Sequence, residues 1–106
     1  MGAHLKVAAF LAAAGIVFSA PAAALTRAID IEAMQFSPAS LRVAAGDTVV
    51  WTNRDLVPHN ATADSGTFRS IVIQPGQSWA FRVTTPGRLP YACTLHPGMK
   101  ATLIVE

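Results

Sequence analysis

The amino-acid sequence predicts a small all-β sandwich behind an N-terminal export segment. Three observations support this prediction: the chain is 106 residues long, its start is strongly apolar, and the remainder alternates short β-type segments with turns. No segment after residue 25 has the periodicity of an amphipathic helix. A chain of this length forms one domain. We therefore predict an export segment at residues 1–24 and a single domain at residues 25–106.

The N-terminal segment has the pattern of an export signal. Lys6 precedes a charge-free run from Val7 to Phe18, and the small residues Ala22–Ala24 fit the sequence before a cleavage site. The alternative is an uncleaved membrane anchor, because the uncharged residues continue to Thr26, about the length of a spanning helix. Proline and small residues fill the last third of that stretch, which favours cleavage. We expect cleavage after Ala24, no stable membrane insertion afterwards, and a periplasmic protein.

Composition and charge narrow the class of partner. The formal net charge is +2, from 8 basic and 6 acidic residues, and the sequence contains no run of like charges. This balance lacks the dense basic footprint of a nucleic-acid-binding protein, so we expect no nucleic-acid partner. A hydrophobic fraction of 52% argues against a disordered chain.

The first strands follow from alternating side chains. Residues Ala28–Ala33 alternate apolar and charged side chains, and Leu41–Val43 alternate again after an interruption at Phe36–Pro38. Gly46 and Asp47 mark a turn. The next segment, Thr48–Asn53, is rich in β-branched and aromatic residues, which favour a pleated and buried strand.

The second half of the domain continues this pattern. Further strands are predicted at Ser70–Ile73, Trp79–Val83, Leu89–Cys93 and Lys100–Val105. Pro-Gly turns at residues 75–76 and 86–87 separate them. The polar segment Asn60–Arg69 is expected to form a loop that packs over one side of the sandwich. Strands this short and evenly punctuated are typical of a β-sandwich.

The single cysteine, Cys93, cannot form a disulfide within the chain. Exported proteins commonly use disulfides, so a lone thiol indicates an intermolecular partner, a reactive group or a metal ligand. A bound metal would also stabilise a domain this small, because small cores often need an additional staple.

Four residues form a candidate metal site. Cys93, His96 and Met99 follow one another at intervals of three residues, with a turn at Pro97–Gly98, and His59 lies in an earlier loop. Taken singly, a methionine or a cysteine is usually a buried apolar residue. Together, two histidines, a cysteine and a methionine are the ligand set of a blue-copper electron-transfer site. We predict that His59, Cys93, His96 and Met99 bind one copper ion.

Other chemistries fit this residue set less well. Zinc prefers cysteine, histidine and carboxylate ligands to a thioether. A Cys–His hydrolase needs an orienting residue and an oxyanion hole, and no motif marks either. A copper oxidase needs a second metal, for which the domain has no further histidine. A periplasmic copper carrier would use similar ligands and remains the alternative, although the sequence has no methionine cluster of the kind that favours Cu(I).

With these residues identified, Met34–Glu106 resembles the cupredoxins, in the branch of plastocyanin and amicyanin. The matching segments are Phe36–Pro38, Val43–Asn53, Pro58–Asn60, Pro75–Gly76 and Tyr91–Met99. The resemblance implies a Greek-key β-sandwich with one type 1 copper, bound equatorially by His59, Cys93 and His96 and axially by Met99. It also implies an electron carrier and not an enzyme.

The same resemblance implies contacts around the site. Asn60 would bond to Thr94, and the backbone N–H of Asn60 would point to the Cys93 sulfur. An apolar patch would surround His96, where redox partner proteins would dock through a small, weak interface. The protein itself would be a monomer. The patch consists of Leu56, Val57, Pro58, Leu95, Pro97 and Gly98.

Overall fold

The computed structural model describes residues 23–106, so all but the last two residues of the predicted export segment lie outside it. Within this range, no helix is long and apolar enough to cross a membrane. The strands are β1 (Thr26–Glu32), β2 (Gln35–Ser37), β3 (Ser40–Val43), β4 (Thr48–Asn53), β5 (Thr62–Ala63), β6 (Ser78–Arg82), β7 (Gly87–Ala92) and β8 (Lys100–Val105).

The strands form two four-stranded sheets. One has the order β2-β1-β4-β6 and the other the order β3-β8-β7-β5. Most neighbours are antiparallel, whereas β1 pairs with β4, and β3 with β8, in parallel. Thr26 lies opposite Thr48 at the start of the β1–β4 pair, and Ile31 lies opposite Asn53 at its end. The chain crosses repeatedly from one sheet to the other, and the predicted all-β class is confirmed.

One apolar core lies between the two sheets. In β4 the side chains of Val49, Trp51 and Asn53 are buried, while those between them are half-buried. This period of two is the geometry of a strand with one face turned to a core. Trp51 meets Tyr91 of the opposite sheet edge to face, with ring centroids 5.6 Å apart. Each large apolar side chain buried in this way contributes about 1.5–3 kcal/mol. Burial also raises the pKa of Tyr91, so its phenol stays neutral.

Three segments differ from their predicted conformation. Ser70–Ile73 is not a strand: only its last residue is buried, and that residue forms a single bridge with His59. The Ser70 hydroxyl accepts the Ala61 N–H and donates to the Ile71 carbonyl, and these bonds to the backbone compete with sheet pairing. The predicted interruption at Phe36–Pro38 overlaps β2, and the predicted loop at Asn60–Arg69 contains β5. Both short strands lie at sheet edges, where pairing with one neighbour is sufficient.

Candidate metal centre

Two loops meet at one end of the sandwich. The first, residues 54–61, follows β4 and carries His59. The second, residues 93–99, joins β7 to β8 and carries the other three predicted ligands. Ala92 and Lys100 are paired directly, so the second loop leaves the sheet and returns to it at one point. The predicted ligands therefore come from two short loops anchored to strand ends.

Three of the four predicted ligands converge on one point. The Cys93 Sγ atom lies 3.8 Å from His59 Nδ1 and 3.7 Å from His96 Nδ1. All three ligand atoms lie within 4.8 Å of one another. Metal bonds of about 2.0 Å to nitrogen and about 2.3 Å to sulfur, near 120° apart, would separate sulfur from nitrogen by roughly 3.7 Å. The three side chains therefore fit one metal ion bound between them.

The fourth predicted ligand, Met99, is held in the same loop by backbone hydrogen bonds. The Met99 N–H donates to the His96 carbonyl over 2.9 Å, and the Cys93 N–H donates to the Met99 carbonyl over 3.1 Å. The Met99 side chain is buried. A thiolate, two imidazoles and a thioether form a soft donor set that suits copper, whereas a thioether is a poor ligand for zinc.

His59 is fixed by the segments on both sides of its loop. Its backbone exchanges two hydrogen bonds with Ile73, over 3.2 and 2.7 Å. The buried Asn53 side chain donates to the Val57 and Ile73 carbonyls over 2.8 and 2.9 Å. The Asn53 Oδ1 atom accepts the Asp55 N–H over 2.9 Å. The end of β4 thus organises the whole loop that carries the first ligand.

Asp55 orients the His59 imidazole. Its Oδ2 atom lies 2.8 Å from His59 Nε2. Because a carboxylate can only accept, Nε2 carries the proton and Nδ1 is left free toward Cys93. Desolvation raises the pKa of Asp55, but hydrogen bonds from Met34, His59 and Ala33 outweigh it, so the pKa lies below its ordinary value. The carboxyl is therefore ionised at neutral pH.

The same carboxylate holds the turn between β1 and β2. Ala33 and Met34 have φ angles of 55° and 60°, a left-handed conformation that is uncommon for residues other than glycine. Their N–H groups donate to Asp55 over 2.6 and 3.0 Å. Asp55 was not predicted as a site residue from the sequence. An acidic residue four positions before a candidate histidine ligand was the available signal.

Asn60 joins the two ligand loops. Its N–H points to the Cys93 Sγ atom over 3.4 Å. Its side chain donates to the Thr94 hydroxyl over 2.7 Å and accepts the Thr94 N–H over 3.0 Å. Both contacts expected for Asn60 are therefore confirmed. A hydrogen bond to the cysteine sulfur is one of the features that tune the potential of a copper–thiolate site.

The two histidines differ in their access to solvent. His59 is fully buried, whereas His96 is half-buried. Their rings lie close together, with centroids 4.9 Å apart. Around them, Leu56 and Leu95 are 94% and 49% exposed. The His96 ring is thus the predicted ligand side chain that reaches the surface, and apolar side chains surround it there.

Comparisons with known proteins agree with this geometry. The model of the family described as copper binding proteins, plastocyanin/azurin family, matches residues 23–106. Amicyanin-alpha from Methylorubrum extorquens is 31% identical over 109 residues, which cover 98% of this chain and 92% of that protein. Chloroplastic plastocyanin from Tetradesmus obliquus is 34% identical, over 93% of this chain and 79% of that protein.

Solved structures of amicyanin are also similar. A proline-to-alanine mutant of amicyanin in its oxidized state superposes with a TM-score of 0.73 at 31% identity, covering 76% of this chain and 82% of that one. A methionine-to-glutamine mutant in its Cu(I) form gives a TM-score of 0.73 at 30% identity, with the same coverage. The chain belongs to the plastocyanin/azurin family of copper-binding proteins: it is a blue copper electron carrier with one copper ion, and not an enzyme.

Proposed function

We propose that His59, Cys93 and His96 hold the copper ion in one plane and that Met99 is a weaker fourth ligand. The observation that carries this proposal is the position of the Cys93 sulfur, 3.8 and 3.7 Å from the two histidine Nδ1 atoms. Met99 follows His96 in the same hydrogen-bonded loop, and its buried side chain supports the fourth role.

Copper in such a ligand set supplies a one-electron couple, and the protein's part is to keep the ligands still while the charge changes. Asp55 fixes the ring of His59 through Nε2. Asn60 links the loop of His59 to the loop of Cys93 with three hydrogen bonds. Because these hydrogen bonds act within and between anchored loops, His59 and Cys93 need little rearrangement in either redox state.

Redox partner proteins would approach the end of the sandwich where His96 reaches the surface. The mostly exposed apolar residues around it form a docking surface consisting of Leu56, Val57, Pro58, Leu95, Pro97 and Gly98. Weak electron-transfer complexes use small interfaces of this kind, below about 1,200 Å² in total. We propose a monomer that binds its partners transiently through this surface, and that has no nucleic-acid partner and no stable insertion in a membrane.

The proposed compartment is the periplasm, reached after removal of residues 1–24. The export pattern around Lys6 and Ala22–Ala24 supports this assignment. The domain itself would be residues 25–106.

Copper loading tests the ligand assignment. The purified protein should bind one Cu(II) per chain and develop intense visible absorption from thiolate-to-copper charge transfer, with the EPR signal of a type 1 site. Cys93→Ser should lose that absorption even where metal stays bound. A matched control is Met34→Leu, since this exposed methionine is outside the ligand set and should leave the spectrum unchanged. Intense absorption in Cys93→Ser would contradict the proposal.

A further inference from the structure

The start of β1 is held at a single residue, Leu25. The Leu25 N–H donates to Asp47 Oδ1 over 2.9 Å, and the Leu25 carbonyl accepts the Thr48 N–H over 2.9 Å. The other Asp47 oxygen accepts the Ala44 N–H over 2.9 Å. Leu25 is therefore fixed on both sides at the end of the sandwich that lies away from the metal centre.

Asp47 is a buried carboxylate whose hydrogen-bond partners within residues 23–106 carry no positive charge. It is 2% exposed. The ion pairs found within residues 23–106 are Arg42–Glu106, Arg54–Asp30 and His59–Asp55. Backbone N–H groups of Leu25 and Ala44, together with the charge of Arg27, lower the pKa of Asp47 against the opposing effect of desolvation, so it stays ionised. A buried charge is usually paired because its desolvation is costly, and within the described part of the chain the Asp47 carboxylate accepts only from backbone amides.

The bond just before Leu25 is accessible. Ala23 and Ala24 are exposed and precede the first strand. We propose, building on the proposed removal of residues 1–24, that hydrolysis of the Ala24–Leu25 bond converts the Leu25 hydrogen bond into an ion pair with Asp47, so that maturation supplies a cation hydrogen-bonded directly to this carboxylate. The step is a peptidase-catalysed hydrolysis. Water oxygen bonds to the Ala24 carbonyl carbon as the C–N bond breaks, Ala24 leaves as a carboxylate, and both water hydrogens end on the Leu25 nitrogen as an ammonium.

The geometry is specific for this one bond. A chain that starts at Ala24 would carry its ammonium one residue earlier, up to about 3.6 Å farther along an extended backbone. A chain that starts at Thr26 would lack the Leu25 nitrogen altogether. Only a start at Leu25 puts the new charge at the nitrogen that already lies 2.9 Å from Asp47 Oδ1.

The first test is the mass of the exported protein. The full chain is expressed in a bacterial host that exports it, and the folded copper protein is recovered. Its intact mass should correspond to Leu25–Glu106. A mature protein that begins at any other residue would overturn the proposal.

The second test measures the charge without removing the hydrogen bond. Acetylation of the Leu25 amine keeps an N–H donor but abolishes the positive charge. Lys100 is the only lysine after residue 24, so Lys100→Arg leaves the terminal amine as the sole target. The acetylated copper protein should melt roughly 4 °C below the untreated protein. Equal melting temperatures would overturn the proposal.

Two aspartate variants complete this test in the same Lys100→Arg background. In Asp47→Asn, acetylation should no longer change the melting temperature, because the amine has lost its partner. In Asp64→Asn, an exposed aspartate elsewhere in the domain, the difference should persist. Copper absorption should be the same before and after acetylation. If Asp47→Asn does not fold, the comparison of acetylated and free protein still decides the proposal. A full acetylation effect in Asp47→Asn would contradict it.

Discussion

Two aspartates lie at opposite ends of β4 and have different structural roles. Asp47 precedes the strand and Asp55 follows it, and the six residues of β4 span roughly 20 Å. Each carboxylate accepts N–H groups from the neighbouring end of β1, Asp47 from Leu25 and Asp55 from Ala33. Asp47 bonds only to backbone, whereas Asp55 also bonds to the ring of His59. Asp47, at the end away from the metal centre, is therefore expected to affect stability alone. Asp55, at the metal end, is expected to affect both stability and the position of the His59 ring.

Removal of copper should lower the melting temperature more than any of the substitutions below. The accompanying loss of hydrogen-exchange protection should be confined to the metal end. A ligand that binds only the folded state stabilises by about 4 kcal/mol when its concentration is a thousandfold above Kd. The apo-protein should therefore melt at least about 15 °C lower. Hydrogen exchange should show faster exchange at Asn60 and Thr94 and little change at Thr48, whose N–H donates to the Leu25 carbonyl. Uniform loss of protection would mean that the two ends are not independent.

Substitution of the two aspartates is the direct test of the comparison. Asp55→Asn should weaken copper binding about 10–100-fold, since loss of a carboxylate behind a ligating histidine reduces the basicity of the ligand. The midpoint potential should rise, because a less basic imidazole stabilises Cu(II) less. Asp47→Asn is the matched control: it should lower the melting temperature and leave the potential unchanged. A shift of the midpoint potential in Asp47→Asn would contradict the separate roles of the two aspartates.

Acid should remove the contribution that the ionised Asp47 carboxylate makes to the free energy of unfolding. Hydrogen bonds from Leu25 and Ala44 lower its pKa below the ordinary value of 3.8. A lowered pKa means that the folded state favours the carboxylate, so this stabilisation is present above the ordinary value and is lost as pH falls through the folded-state value. Urea unfolding of the apo-protein in mild and strong acid measures it without interference from copper release. Asp47→Asn should lose less stability across this interval than Asp64→Asn does, and an equal loss would refute the role of Asp47.

Substitution of the proposed axial ligand, Met99, should have the smallest effect on copper binding. Met99→Gln should retain copper and lower the midpoint potential, because an amide oxygen is a harder ligand that favours Cu(II). Each tenfold change in relative affinity for the two oxidation states corresponds to about 59 mV. Voltammetry beside Met34→Leu, whose potential should not move, isolates the effect. Identical potentials in Met99→Gln and the unsubstituted protein would argue against an axial thioether.

Interactions within one loop were predictable from the sequence, and interactions across the sheet were not. Cys93, His96 and Met99 lie within one loop, so their spacing alone predicted a shared site. Asp47 and Asp55 were not identified, because each bonds to a residue 22 positions earlier in the chain. That offset is the register of the parallel β1–β4 pair, in which Thr26 lies opposite Thr48. No local pattern encodes such a register.

The wrong prediction of a strand at Ser70–Ile73 is the opposite case, in which the local pattern is present but the pairing within a sheet is not. Its β-branched residues favour extended backbone, but the two sheets formed by residues 23–106 offer it no partner strand, and Ile71 is 61% exposed. Intrinsic β-propensity measures how well side chains fit a pleated, half-buried surface, and this segment runs beside the ligand loop and not within a sheet.

Both ends of the described chain meet at the turn between β3 and β4. Leu25 bonds to Asp47, and the Glu106 carbonyl accepts the Ala45 N–H over 2.9 Å. This turn is at the opposite end of the sandwich from His96. A tether attached at Leu25 or at Glu106, whether to an electrode, a bead or a fused domain, would therefore leave the proposed docking surface facing outward. Immobilisation through the termini would present the copper end of every molecule to the solution, and electrons would have to enter and leave from the side away from the support.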